Sequence, residues 1–262
     1  MKKVMFTVTI LLLVVAFCVS AFLVGSYLLE GKEQEERYNE LASIAANTQA
    51  QTTAAETTQQ TTEETTEATE PTMIPGYEEI YNMNADTVGW LKLEGTELAY
   101  PVMQTPDDPN YYLYKSFDKV DSKRGSIYAW GEADINEPSD NITIFGHNMA
   151  DGSMFAALNS YTSKAAWEKN SLIFFDTLTE YHTYKIFAVF KTSANVGQGF
   201  SYHKFVDAEN EEEFNEFVST CKELSFYDTG ITPVFGAKLI CLSTCEYTLD
   251  NGRLVVAAVR IT

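Results

Sequence analysis

A single apolar run near the N-terminus decides where a folded domain can lie in this chain. Met1-Lys2-Lys3 precedes the run, which extends from Val4 to Leu29 without a charged residue. A helix of that length spans about 39 Å, which is enough to cross a bilayer core of about 30 Å. Lysines before the run and glutamates after it favour an N-terminus inside the membrane and a folded domain outside it.

A cleaved signal peptide is the competing interpretation of this run. Val19-Ser20-Ala21 ends in small residues, as signal cleavage sites do. The apolar residues nevertheless continue to Leu29, which is longer than the usual core of a signal peptide. We therefore favour an uncleaved single-pass anchor over residues 1–29. Either interpretation exports the rest of the chain.

The stretch after the apolar run is acidic and poor in apolar residues. Residues 30–46 predict a short charged helix that ends at Asn47. From Thr48 to Thr72 the chain is almost entirely Thr, Glu, Gln and Ala, which cannot bury enough apolar surface to offset the entropy of ordering. We expect a disordered tether there. The predicted organisation is an anchor over 1–29, an acidic linker over 30–76 and a folded domain over 77–262.

The composition excludes some classes of protein. The chain has 262 residues, of which 45% are apolar, and its formal net charge is −19. An acidic surface argues against a nucleic-acid partner, since phosphate binding needs a basic one. Cys241 and Cys245 lie in a β-like stretch and would be about 13 Å apart on a strand, too far for a disulfide. Their spacing fits no zinc-ligand pattern, and we expect neither a metal nor a cofactor.

From Met73 onward, short strands with turn signals dominate the pattern. The predicted strands are Val88–Leu93, Glu97–Met103, Gly125–Trp130, Asn141–Phe145, Leu172–Phe175, Tyr184–Lys191, Val234–Thr244 and Arg253–Ile261. One predicted helix runs from Met154 with Ser153 as its cap, and a second covers Asp207–Leu224. Cys221 lies on the apolar stripe of the second helix and is expected to be a core thiol. The pattern predicts a mainly β fold, a closed or nearly closed barrel with helical insertions.

Cys245 and Arg253 are candidate site residues because a hairpin would bring them together. Cys245 ends one predicted strand, Arg253 begins the next, and seven residues containing Asp250-Asn251-Gly252 connect them. Antiparallel neighbours of this kind place the two residues within a cross-strand distance of about 5 Å. A guanidinium beside a thiol favours the thiolate and can also donate hydrogen bonds to an oxyanion.

His147 is the third candidate, since a cysteine nucleophile needs a group that gives a proton to the leaving amine. It follows the strand Asn141–Phe145 through Gly146, so a rigid element would position it. Local spacing does not place it near the cysteine. His203, in an aromatic loop with glycines, is the reserve candidate, and His182 is interpreted as a surface residue.

Three runs of sequence carry the most specific signal. They are Ile-Phe-Gly-His-Asn-Met-Ala-Asp-Gly-Ser-Met-Phe over residues 144–155, Cys-Leu-Ser-Thr-Cys over 241–245 and Arg-Leu-Val-Val over 253–256. In this order they resemble the histidine segment of class B sortases, the sortase signature Thr-Leu-x-Thr-Cys and the arginine strand that follows it. Cys241 stands where the signature usually has Thr. The resemblance covers about residues 77–262 and implies an eight-stranded sortase barrel.

The resemblance also implies a role for individual residues. Cys245 would be the nucleophile, His147 the general acid and base, and Arg253 the group that binds the oxyanion and orients the substrate. The backbone N–H of Glu246 would complete the oxyanion hole. The remaining implied contacts line the substrate groove or recognise the motif: Ser243, Thr244, Leu113 and Thr192.

The implied reaction is transpeptidation at the outer face of a Gram-positive membrane. A surface protein would be cleaved after Thr in a C-terminal sorting motif, Asn-Pro-x-Thr-Asn or a Pro-x-Thr-Gly variant, and joined to a peptidoglycan amine. Tyr247 departs from class B members that have an acidic residue there, so a Cys–His–Asp arrangement through that position is excluded. A hydrolytic cysteine peptidase and a non-catalytic membrane-tethered binding module remain as alternative functions.

Overall fold

The computed structural model of the chain describes residues 2–56 and 72–262, which divide into two compact units, residues 1–40 and 41–262. Helix α1 (Lys2–Glu56) contains the predicted apolar run. Its segment Val4–Ala46 is long and apolar enough to cross a membrane. The run is therefore helical, as predicted.

The predicted end of this helix at Asn47 is wrong, because α1 continues to Glu56. The added residues include alanines, glutamines and a glutamate, which are good helix formers, and contain no Gly or Pro to stop the helix. The disorder predicted from Thr48 onward is thus wrong as far as Glu56. The rest of the predicted tether, residues 57–71, lies outside the described residues.

The larger unit is built on a closed barrel of eight strands, which confirms the predicted fold class. The strands are β1 (Thr87–Leu93), β2 (Ala99–Met103), β3 (Ile127–Ala129), β4 (Asn141–Phe145), β5 (Leu172–Thr177), β6 (Thr183–Ser193), β7 (Leu239–Glu246) and β8 (Gly252–Arg260). Around the barrel they follow the order β1-β2-β3-β4-β7-β8-β6-β5. All pairs are antiparallel except β2–β3 and β4–β7, which are parallel. Closure leaves no unpaired sheet edge.

Helix α4 (Glu211–Leu224) covers one side of the barrel and explains why β7 and β8 are almost entirely buried. Its stripe packs with buried residues of β6, β7 and β8. The members of the stripe are Phe214, Phe217, Val218 and Cys221. Cys221 is fully buried, as predicted for a core thiol, and burial raises its pKa well above the usual range. Strands covered on both faces lose the alternation of apolar and polar residues.

Two predicted helix starts are wrong. Helix α4 begins at Glu211, because Asn210 is its cap and accepts a hydrogen bond from the N–H of Glu213, whereas Asp207 accepts from Ser139 and Asp140 outside the helix. Ser153 caps nothing: its hydroxyl donates to Asp151 at 2.7 Å, and a 3₁₀ helix follows over Phe155–Thr162.

Helix α2 (Pro75–Met83) precedes the first strand and was not predicted. Tyr77 is buried, stacks on Trp90 with ring centroids 6.3 Å apart, and donates its hydroxyl to Asp176 of β5 at 2.6 Å. A further short helix, α3 (Lys164–Lys169), lies before β5. Ile74, which directly precedes α2, is also buried.

Candidate active site

The parallel pair β4–β7 brings His147 level with Cys245. In its register Phe145 pairs with Ser243, and the N–H of Gly146 donates to the Ser243 carbonyl at 3.1 Å. His147 and Cys245 each lie two residues beyond that pair, at the same end of neighbouring strands, which are about 4.8 Å apart in a sheet.

The antiparallel pair β7–β8 places Cys245 directly opposite Arg253, which confirms the predicted hairpin. Nη1 of Arg253 donates to the carbonyl of Gly252 at 2.9 Å and to Oδ1 of Asn251 at 3.1 Å. Asn251 has a φ of 48°, in the left-handed region that Asn tolerates in tight turns. The turn between the strands therefore also fixes the guanidinium beside the thiol.

One open cavity of about 340 Å³ contains all three candidates. Cys245 is half-buried at its wall, whereas Cys221 and Cys241 are fully buried elsewhere. The other lining residues are Asn110, Leu113, Tyr128, Trp130, Phe145, Gly146, Ala194, Tyr202, His203, Ser243, Thr244 and Asn251. A thiol, an imidazole and a guanidinium thus share a cavity whose wall includes four Phe, Tyr or Trp rings.

His147 is oriented by the segment before β3. Its Nε2 lies 2.8 Å from the carbonyl oxygen of Leu113, and the Tyr114 ring is tilted against it at 5.8 Å between centroids. Since a carbonyl oxygen can only accept, Nε2 carries a proton in this arrangement. Nδ1 is then the ring nitrogen whose protonation can change.

Ser243 and Thr244 line the cavity, but their hydroxyls already have partners. The Ser243 hydroxyl lies 2.5 Å from the hydroxyl of Tyr202, and both groups are buried. The Thr244 hydroxyl donates to the carbonyl of Gly146 at 2.7 Å. Both side chains brace the walls of the cavity.

Thr192 and the side chain of Glu246 lie outside this cavity. Thr192 lines a neighbouring groove, where its hydroxyl accepts the N–H of Phe200 at 2.8 Å. The carboxylate of Glu246 forms an ion pair with Lys191 of β6 at 2.7 Å. The motif contact implied for Thr192 therefore stays a prediction, as does the oxyanion role of the Glu246 N–H.

The Glu246 carboxylate fastens the turn that follows the candidate nucleophile. It accepts the N–H groups of Thr248 and Leu249 at 3.0 and 3.1 Å in addition to the Lys191 ammonium. Burial alone would raise its pKa, but these hydrogen bonds outweigh burial and lower the pKa of Glu246 to about 2. The sequence did not predict this ion pair, because Lys191 and Glu246 lie 55 residues apart on different strands.

The aromatic wall of the cavity includes the reserve candidate, His203. Its ring meets the Trp130 ring edge-on at 5.4 Å and also contacts Phe145 and Tyr202. Burial lowers the pKa of His203, and the charge of Lys204 lowers it further. A neutral imidazole packed among aromatic rings is a wall residue rather than a proton donor.

Among residues 2–56 and 72–262, no group of three His, Cys, Asp or Glu side chains could hold a metal.

Comparison with known proteins identifies the class that this barrel and cavity define. Residues 91–261, about two thirds of the chain, match the family model of the sortase domain. The chain belongs to the sortase family and is a cysteine transpeptidase that acts on surface proteins and cell-wall amines. Its apolar N-terminal helix indicates membrane anchoring, and the family indicates the cell surface.

Individual relatives narrow the class. The chain is 31% identical over 188 residues to Sortase B of Listeria monocytogenes, covering 70% of this chain and 73% of the relative. It is 29% identical over 186 residues to Sortase B of Staphylococcus aureus, covering 70% and 74%. A solved Staphylococcus aureus sortase B–substrate complex superposes with a TM-score of 0.74 at 26% identity, covering 89% of this chain and 99% of that chain. Class B is therefore the part of the family to which the chain is similar.

Proposed function

We propose that Cys245 is the nucleophile of this transpeptidase and that it acts with His147 and Arg253. The observation that carries the proposal is the shared cavity at the end of β4, β7 and β8, which holds the three side chains together. The Cys245 thiolate attacks the carbonyl carbon of Thr in a sorting motif. The C–N bond after Thr then breaks, and the upstream chain stays bound as a thioester.

Arg253 and the backbone N–H of Glu246 are the proposed partners of the oxyanion. Arg253 lies opposite the proposed nucleophile, and its guanidinium is always charged, so it stabilises the negative oxygen that forms on attack. Oδ1 of Asn251 and the carbonyl of Gly252, both in the preceding turn, accept hydrogen bonds from Nη1. The rigid hairpin supplies this positive charge without reorganisation during the reaction.

His147 is the proposed carrier of the proton. Protonated on Nδ1, it gives that proton to the departing amine of the downstream peptide. In the second half-reaction it takes a proton from the attacking amine, the new C–N bond forms, and the Cys245 thiolate leaves. The bond from Nε2 to the Leu113 carbonyl suits both states, since Nε2 keeps its proton throughout.

The substrate, site and topology follow from the same proposal. The acyl donor is a surface protein with Asn-Pro-x-Thr-Asn or a Pro-x-Thr-Gly variant, and the acceptor is a peptidoglycan precursor or crossbridge amine. Leu113, Ser243 and Thr244 lie on the cavity wall where the motif would bind. We place an anchor over 1–29, a linker over 30–76 and a catalytic domain over 77–262, outside the membrane of a Gram-positive cell.

Quenched fluorescent peptides test this proposal on the full-length protein in detergent micelles. We expect cleavage of one of the two motifs, a Cys245-bound acyl-enzyme by mass spectrometry, and transfer of the acyl group to added triglycine. Cys245→Ala should abolish the acyl-enzyme, while His147→Ala and Arg253→Ala should each lower kcat/KM by on the order of 10² or more.

The controls separate the alternative functions. Hydrolysis without transfer to any amine would identify a cysteine peptidase instead. Absence of cleavage and of an acyl-enzyme with every motif would favour a binding module. Near-normal turnover in Arg253→Ala would refute the oxyanion assignment while leaving the nucleophile in place.

A further inference from the structure

In the ladder between β4 and β7, the hydrogen-bond donors change from backbone N–H groups to side chains near His147 and Cys245. Its last backbone bond runs from the N–H of Gly146 to the carbonyl of Ser243. In a parallel ladder the next two bonds would join the N–H of Cys245 to the Gly146 carbonyl and the N–H of Asn148 to the Cys245 carbonyl. Neither bond is present among the described residues.

Two side chains supply the missing bonds at the same acceptors. The Thr244 hydroxyl donates to the Gly146 carbonyl at 2.7 Å, and Nδ2 of Asn148 donates to the Cys245 carbonyl at 2.9 Å. We call this pair the side-chain rung. It connects the segment that carries His147 to the strand that carries Cys245, beyond the last bond that the backbone makes.

The backbone cannot make this rung because the chain after His147 turns away from β7. Asn148 forms an isolated antiparallel bridge with Met154, and the N–H of Phe155 donates to the His147 carbonyl at 2.9 Å. The loop therefore pairs with itself. The amide of Asn148 reaches back across the gap that this turn opens.

The orientation of the Asn148 amide is determined by its neighbours. Nδ2 of Asn159 donates both to the Ala156 carbonyl and to Oδ1 of Asn148, each at 3.0 Å. The carbonyls of Ala156 and Cys245 can only accept, so one assignment of both amides satisfies every contact. Asn148 must then present its NH₂ group to Cys245.

We propose that the side-chain rung, through Asn148 and Thr244, positions His147 against Cys245 for proton transfer to the leaving amine. This inference rests on the proposed function, because it assigns a purpose to the spacing between two residues of that site. The Asn148 amide and the Thr244 hydroxyl are positioning groups, since their hydrogen bonds act through His147 and Cys245. Any contact that Thr244 makes with the motif comes from the rest of its side chain, whose shape Thr244→Val keeps. Loss of either bond lets the two strand ends separate.

Substrates with different leaving groups distinguish a positioning role of the rung from a merely structural one. An amide substrate expels an amine, which must receive a proton, whereas a thioester of the same peptide expels a thiolate that leaves unaided. Misplacement of His147 should therefore slow cleavage of the amide much more than acylation by the thioester. A general loss of folded protein would lower both rates equally.

The experiment compares Asn148→Asp and Thr244→Val, both close in shape to the native residues, with wild-type full-length protein in detergent micelles. We expect kcat on the amide peptide to fall by about 10-fold to 100-fold with KM nearly unchanged, and the acylation rate with the thioester to fall less than about 3-fold. Asn136→Asp, at an exposed position away from the cavity, is the matched control and should behave as wild type.

Two results would overturn the inference. Unchanged kcat on the amide in both variants would show that the rung is dispensable, and equal losses on both substrates would show that it only supports folding. Failure of the proposed function would look different: Cys245→Ala would then still cleave the peptide, whatever the rung variants do.

Discussion

The side chains of Cys245 and Glu246 lie in different environments, because successive residues of a strand point to opposite faces of the sheet. Cys245 borders the open cavity, while Glu246, the next residue, carries a carboxylate that binds Lys191 and the turn behind the strand. The period of two places the proposed nucleophile and a structural anion on adjacent residues without mixing their environments. The carboxylate next to Cys245 in sequence is therefore held outside the cavity.

The Lys191–Glu246 pair predicts a stability that depends on acid pH. The folded pKa of Glu246, about 2, lies below the ordinary value of about 4.3, so the pair stabilises the fold above about pH 5 and is lost as pH falls toward 2. We expect Lys191→Met to lower the urea midpoint clearly at pH 7 and much less at pH 2.5. Urea denaturation followed by tryptophan fluorescence at several pH values measures this.

Lys185 on the same strand supplies the control. Its ammonium donates to the uncharged hydroxyl of Ser171 at 2.6 Å, so the effect of Lys185→Met should not change between pH 5 and pH 2.5. A Lys191→Met penalty that is constant over this range would contradict the assignment of the low pKa to the ion pair.

Among the elements, those fixed by local pattern could be predicted from the sequence and those fixed by distant partners could not. The β7–β8 hairpin was predictable because seven residues join Cys245 to Arg253 and leave few other pairings. The parallel β4–β7 pair was not, since Phe145 and Ser243 lie far apart in sequence and nothing local selects that partner. His147 could therefore be assigned to the site only by its resemblance to a family.

The helix starts failed for a related reason. Asp207 and Ser153 are both suitable caps by residue type, but each side chain is taken by a contact that local sequence does not reveal. Asp207 fastens the loop before β4, and Ser153 also accepts from Arg124 at 2.9 Å. Residue type alone therefore indicates which side chains could cap a helix, and tertiary contacts determine which of them does.

One buried hydrogen bond, from Tyr77 to Asp176, helps to attach helix α2 to the barrel. Burial raises the pKa of Asp176, and the hydrogen bond from Tyr77 counteracts that rise. Tyr77→Phe keeps the ring against Trp90 but removes the donor, so we expect a loss of about 1–3 kcal/mol in the free energy of unfolding. Thermal or urea denaturation at pH 7 provides the measurement.

Tyr81→Phe on the same helix is the matched control for this change. Tyr81 is a half-buried residue whose hydroxyl makes no hydrogen bond within the described parts of the chain, so removal of the hydroxyl should cost less than about 0.5 kcal/mol. Equal effects of the two variants would mean that the Asp176 contact adds nothing to the docking of α2.

Across the whole molecule, the four cysteines differ in how far their thiols are accessible to solvent. Cys221 and Cys241 are fully buried between α4 and the barrel, and burial raises the pKa of both thiols. Cys245 is the half-buried exception in the folded unit. The fold thus protects two thiols as core residues and leaves the third open to a cavity.

Thiol labelling tests this division in a Cys18→Ser background, which removes the exposed cysteine of α1. We expect a charged, water-soluble maleimide to modify one thiol rapidly in the native protein and three after denaturation in urea. The rapid thiol should disappear in Cys245→Ala. Fast modification of a second thiol under native conditions would contradict the burial of Cys221 and Cys241.

The position of β7 and β8 along the chain has a consequence for how the enzyme becomes active. These strands follow all the others in sequence, yet β7 must insert between β4 and β8 before the barrel closes. Pairings between distant segments form slowly, because a long loop must close first. Until β7 pairs with β4, Cys245 is therefore not yet beside His147. The proposed site is complete only when the barrel closes, which couples the reactivity of its thiol to the completion of the fold.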